Sequence, residues 1–139
     1  GGAQPNYYSE YDYERSSYNN TYNHPACALL GRYLLEGIGF EVNEPVGFRL
    51  LSSGCASLNV GQCVYYGEVL RRKGQINASG ITPIYERVCQ AGREDGCFAL
   101  AELHKTGYKE LKPSEAQAKK YEAMGCRLAP ALARCKGVK

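Results

Sequence analysis

Seven cysteines are the residues of this 139-residue chain best equipped for chemistry, and their spacing indicates which chemistry. Steps of eight residues separate Cys55 from Cys63 and Cys89 from Cys97, and a step of nine separates Cys126 from Cys135. Between like positions the intervals are 36 (Cys27 to Cys63), 34 (Cys63 to Cys97) and 38 (Cys97 to Cys135). A period of that size marks a repeat protein. Structural zinc sites draw ligands from tight pairs such as Cys-x-x-Cys; none occurs here, and His24 and His104 are the only histidines, so no metal is expected. Disulfides fit better, and they persist in oxidising compartments. The competing reading is a cytosolic helical protein that packs small buried thiols, but packing alone gives cysteines no reason to keep a period.

Other catalytic ingredients are poor. The sequence has no Gly-rich phosphate loop, no His-Glu-x-x-His and no G-x-S-x-G, so no enzyme activity, catalytic residue or cofactor is expected. His104, beside Lys105, reads as a solvated histidine on a helix. Cys135, between Arg134 and Lys136, would be a thiol of lowered pKa if it escaped bridging. Asn19-Asn20-Thr21 and Asn77-Ala78-Ser79 are glycan acceptors only in a eukaryotic secretory pathway. A formal net charge of +3 with 22% charged residues is too small a surplus to predict nucleic acid or an anionic membrane as partner. No apolar run reaches the length of a membrane span and the start carries no signal pattern, so the chain reads as an exported product whose signal is missing.

The elements that must position the cysteines follow from periodicity. Residues 1–24 stand apart: six of the twelve tyrosines (Tyr7, Tyr8, Tyr11, Tyr13, Tyr18, Tyr22) lie among Asn, Ser and Glu without a branched aliphatic. Such a segment cannot build a core and reads as a flexible leader or a tyrosine-rich contact surface. From Pro25 the pattern turns helical, with Ala26, Leu29, Leu30, Tyr33 and Leu34 on one face and Gly37 and Gly39 as the stop. Glu44-Pro45 opens a second helix through Val46, Phe48, Leu50, Leu51 and Cys55. A first helix of the next unit runs from about Gln62, followed by the longest visible loop, Gly74 to Gly80. Thr82-Pro83 then opens a helix ending at Gly92. The third unit begins near Gly96, turns at Gly107 and resumes at Pro113-Ser114-Glu115, and 130–139 reads as a truncated helix of a fourth. The expected architecture is an all-α, α/α solenoid of about three repeats (25–60, 61–94, 95–129).

Side chains of the three units superimpose. Counted from Cys27, Cys63 and Cys97, position +3 is Leu30, Tyr66 and Leu100; +4 is Gly31, Gly67 and Ala101; +6 is Tyr33, Val69 and Leu103. Small residues at +4 let two helices approach, and the larger ones fill the space between them. If each repeat folds back as a hairpin, its leading and trailing cysteines meet at the open end. That pairs Cys27 with Cys55, Cys63 with Cys89 and Cys97 with Cys126, and leaves Cys135 as a free thiol, an intermolecular link that would make a homodimer, or a relic. Each such loop would contribute about 3–4 kcal/mol. Pairs across the eight-residue steps stay open, since those ends are also close.

The stretch Ala28-Leu29-Leu30-Gly31-Arg32-Tyr33-Leu34-Leu35-Glu36-Gly37-Ile38-Gly39 resembles the L-G-x-x-Y-x-x-G-x-G core of Sel-one-like repeats (SLR), relatives of the tetratricopeptide repeat. The ends, such as Cys89-Gln-Ala-Gly-Arg-Glu-Asp-Gly-Cys97, resemble the cysteine-rich exported bacterial members, in which each repeat carries one internal disulfide. Val69 stands where the family has tyrosine, Gly74 comes one residue late, and Ala101 replaces a glycine. The resemblance implies a protein-binding module whose concave wall would include Arg32, Glu36, Glu68, Arg71, Arg72, Glu102 and Lys105, with Gln75 and Asn77 from the Gly74 to Gly80 loop. It further implies a periplasmic immunity protein that occludes the active site of a secreted cell-wall amidase, an effector of type VI secretion. The alternatives are a scaffold in envelope assembly or host interaction, and an enzyme acting on cell-wall or β-lactam compounds.

Overall fold

In the computed structural model the described residues are 25–56 and 60–137. The tyrosine-rich segment 1–24 lies outside them, so the expectation for it is neither met nor overturned. Among the described residues six helices follow one another: α1 (Pro25–Glu36), α2 (Glu44–Ala56), α3 (Cys63–Arg72), α4 (Ala78–Gln90), α5 (Glu94–Thr106) and α6 (Glu115–Leu128). Short 3₁₀ turns at Val60–Gln62 and Ala133–Cys135 flank α3 and close the chain. Among the described residues there is no strand, only an isolated bridge between Tyr108 and Leu111. The chain divides into two compact units, one ending at Tyr66 and the other starting at Gly67.

The helix stops are those the glycines announce. Gly37, Gly74 and Gly92 have φ of 72°, 68° and 91°, a left-handed region that side chains with a Cβ rarely adopt. At each, the next residue's N–H reaches back over the end of its helix: Ile38 to Tyr33 O, Gln75 to Leu70 O and Arg93 to Val88 O, at 3.0, 2.9 and 3.2 Å. That is the pattern by which a helix end satisfies its last carbonyls.

In the first unit, α1 and α2 form an antiparallel hairpin that crosses at two glycines. A Cβ on Gly31 would stand 2.8 Å from the Gly47 carbonyl oxygen, and one on Gly47 would stand 2.8 Å from that of Gly31. No side chain fits between the backbones there, so Ala28, Leu50 and Leu51 are buried around the crossing. The +4 position therefore does what its size suggested. Tyr66 from α3 donates its hydroxyl to Ser52 Oγ at 3.2 Å and meets Phe48 edge to face at 6.5 Å.

The second unit is organised around Tyr85, which is fully buried. A Cβ at Gly67 would lie 2.8 Å from the Tyr85 ring, so the glycine at +4 again makes room, here for an aromatic side chain of α4. Ile81, Val88, Leu100 and Leu103 complete this core. At the far end, Phe98 packs on Gly125, which has no room for a Cβ, and lies with the buried Cys126 and Cys135. The Arg134 guanidinium covers the ring at 3.9 Å and is held by two bonds to Glu122, 2.8 and 3.0 Å.

Three expectations need correction. The disulfides are Cys55–Cys63, Cys89–Cys97 and Cys126–Cys135, with Cα atoms 4.8, 4.6 and 5.3 Å apart. Cys27, not Cys135, is the free thiol. Packed helix axes lie about 8–10 Å apart, whereas a disulfide needs Cα atoms within about 7 Å; a short turn joining the end of one helix to the start of the next meets that need directly. Next, the Gly74 to Gly80 loop is shorter than expected, because α4 begins at Ala78. Asn77 supplies the missing start signal: its Oδ1 accepts from Gly80 N at 3.0 Å, an N-cap, so Pro83 lies within the helix instead of opening it. Finally, residues 129–137 form a turn with one 3₁₀ segment, not a truncated helix, and the Cys126–Cys135 bond ties this turn to α6.

Candidate protein-binding surface

The side chains named as a concave wall are spread over both units, Arg32 and Glu36 in the first and the others in the second. Arg32 and Glu36 pair with each other along α1 at 3.3 Å, and Arg32 lies 4.5 Å from the Tyr65 ring. Glu68 and Arg71 are committed inside the second unit: Tyr85 Oη donates to Glu68 Oε2 at 2.8 Å, while Arg71 holds Glu68 Oε1 at 2.8 Å. Burial, with the Glu68 carboxylate adding to it, pushes the Tyr85 phenol well above its usual range, so it remains a neutral donor. This trio ties α3 to α4 and is structural. Arg72 and Gln75 are exposed, and Asn77 is spent on capping.

The loop that carries Gln75 and Asn77 is also occupied. Tyr108 donates to the Ile76 carbonyl at 2.6 Å, and Lys109, with a positive φ of 49°, reaches the Gly74 carbonyl at 3.0 Å. The turn after α5 thus pins the turn after α3.

What does project is the connection between α1 and α2, which sequence reasoning treated only as a stop. Ile38, Phe40 and Val42 are 47%, 52% and 57% exposed. Three large apolar side chains in five residues are far more than the scattered exposure usual on a surface. Both ends of this tip are fixed: Ile38 N bonds Tyr33 O and Asn43 N bonds Leu34 O at 2.9 Å, and Asn43 Oδ1 accepts from Val46 N at 3.3 Å at the start of α2. From Tyr33 to Phe48 the chain has no Lys or Arg, and it carries Glu36, Glu41 and Glu44. The clue available beforehand was the alternation Ile38-Gly-Phe40-Glu-Val42 outside any helical period.

Glu102 and Lys105 are brought together, in a cleft of the second unit between α5 and α6. It has a volume of about 290 Å³ and is lined by Ala101, Glu102 and Lys105 from α5, Glu115, Ala118, Lys119 and Glu122 from α6, and Arg134. The α6 contributions could not be assigned to a site without knowing which faces meet.

No family model, curated protein or solved structure matches the chain. What this surface can bind must therefore be argued from its own chemistry. Six of the seven cysteines are bridged, which removes Cys135 both as a reactive thiol and as a link to a second copy. Three disulfides call for an oxidising compartment, and among the described residues no helix is long and apolar enough to cross a membrane.

His104 is partly solvated. Its ring stacks on Tyr121 at 5.6 Å between centroids, and its Nδ1 is buried without a partner. Burial lowers its pKa, opposed by Glu86 and aided by Lys120. A histidine whose folded pKa lies below its unfolded value stabilises the fold fully above about pH 6.5 and loses that contribution as pH falls through the folded value. Denaturant midpoints measured from pH 7.5 to 5 are expected to fall for the wild type and to fall less for His104→Phe, with the difference between the two profiles confined to this window.

Proposed function

We propose that this chain is an exported protein-binding module built of Sel-one-like repeats stacked as an α/α solenoid, and that it acts in the periplasm as the immunity protein of a cell-wall amidase effector of type VI secretion. It has no catalytic role of its own in this reading. It blocks the amidase cleft by insertion, and the tip Ile38–Val42 is the inserting element, in place of the pinned turn after α3. The observation that carries the proposal is this apolar, acid-flanked tip, held at both ends.

A pre-anchored tip loses little conformational freedom when it docks, so more of its apolar burial remains as affinity. Its acidic flanks suit a cleft with a basic rim and disfavour an anionic lipid surface. The three disulfides suit a compartment outside the cytosol.

Purified protein is expected to abolish peptidoglycan hydrolysis by the amidase encoded beside it at a stoichiometric amount. Phe40→Asp should weaken inhibition by about thirtyfold or more, the loss typical of a central interface anchor. Full hydrolysis with excess wild-type protein, across every neighbouring candidate, would refute the immunity role. Tight inhibition unchanged by Phe40→Asp and Ile38→Asp would refute the tip as the inserting element.

A further inference from the structure

We propose that the cleft between α5 and α6 is a binding site for a short zwitterionic peptide, separate from the tip and independent of any amidase. Its floor is Ala101 and Ala118, both buried, so the groove is open because the residues at its base are small. Helix register places its rim: on α5 Lys105 follows Ala101 by four residues and Glu102 by three, and on α6 Ala118, Lys119 and Glu122 follow Glu115 by three, four and seven. These intervals keep each set on one face of its helix.

Several charges elsewhere in the molecule are held in close ion pairs: Arg32 with Glu36, Arg71 with Glu68, and Arg93 with Asp95. On the rim, only Glu122 is neutralised, by Arg134. Glu102, Lys105, Glu115 and Lys119 make no ion pair among the described residues, although two of each sign border one 290 Å³ space. Two free carboxylates and two free ammonium groups repel a polyanion and a polycation alike. They complement an occupant carrying both signs.

Size and surface narrow the class further. The volume lies at the lower edge of small-molecule sites, which begin near roughly 300 Å³, so a di- or tripeptide is the matching size. Among the described residues no aromatic ring lines the cleft, and the nearby Phe98 face is taken by Arg134, so these residues offer no stacking platform for a sugar or a base. The wall carrying Arg134 is fixed by the Cys126–Cys135 bond, so the cleft is complete only in the oxidised protein.

The test is a titration of the full chain with Lys-Ala-Glu bearing free termini, followed by NMR of the Ala101, Ala118 and Lys119 amides. The controls are N-acetyl-Glu-Ala-Glu, which is wholly anionic, and Lys-Ala-Lys amide, which is wholly cationic. Saturable shifts at those amides with the mixed-charge peptide, and at least fivefold weaker binding of both controls, are expected. Each of Glu115→Lys and Lys119→Glu, at exposed positions that leave the core untouched, should weaken the mixed-charge peptide by about tenfold, since attraction becomes repulsion. Absence of saturable shifts at 10 mM peptide, equal binding of all three peptides, or unchanged binding by both variants would each overturn the proposal.

Discussion

Tyr85→Ala is expected to lower the unfolding free energy by about 3–5 kcal/mol, the range for truncating a large buried aromatic. The ring is wholly inaccessible and packs so closely on Gly67 that a Cβ there would stand 2.8 Å from it. Neither backbone can readily close the gap, because the carbonyls of Gly74 and Ile76, in the turn joining α3 to α4, are held by Lys109 and Tyr108. Against a typical total of about 5–15 kcal/mol, a loss of this size leaves the second unit marginal.

Tyr85→Phe separates the ring from its hydroxyl. It removes the 2.8 Å bond to Glu68, but the Glu68 side chain is 34% exposed and keeps Arg71 at 2.8 Å, so water can replace the lost donor. The expected cost is about 1 kcal/mol. Urea unfolding of both variants at neutral pH checks the pair. An alanine variant within 1 kcal/mol of wild type would mean that Tyr85 is not the organising residue described here.

Cys89→Ala with Cys97→Ala is expected to cost about 2.5 kcal/mol, while Cys27→Ser stays within about 0.5 kcal/mol. The first figure follows from the entropy of closing a loop of about nine residues in the unfolded chain. A hairpin-spanning bond of some 28 residues would contribute about 3.5 kcal/mol by the same reasoning. The pairing therefore makes opposite forecasts for Cys27. With Cys27 bound to Cys55, replacing Cys27 would destabilise strongly and release a second thiol; with Cys27 free, it does neither. Thermal unfolding, together with a non-reducing digest of the Cys27→Ser protein, reads both. Release of a new thiol in that digest would overturn the connectivity.

The all-helical fold, the helices of the described residues and most of their ends could be read from the chain alone, because each rests on neighbours in sequence. Apolar spacing of three and four marks the inward faces. Gly37, Gly74 and Gly92 end helices by a backbone angle that other residues rarely adopt. Ser114 before Glu115 starts α6, its Oγ accepting from Gln117 N at 3.2 Å. Small residues at Gly31 and Gly67 likewise announced close approach. The start of α4 was hidden because Pro83 is the stronger local signal, while Asn77 declares itself only through the bond it accepts.

Sequence by itself determined that this chain is helical, periodic and rich in cysteines destined for bridging. Which cysteines meet was left to three dimensions, because spacing in sequence allows either set of pairs and only the actual gap between backbones discriminates. The same holds for the binding surface. A charge on a helix looks the same in sequence whether it is spent on a neighbour, as Glu68 is, or left free on a cleft, as Glu102 is; the distinction arises only when successive helices are placed side by side.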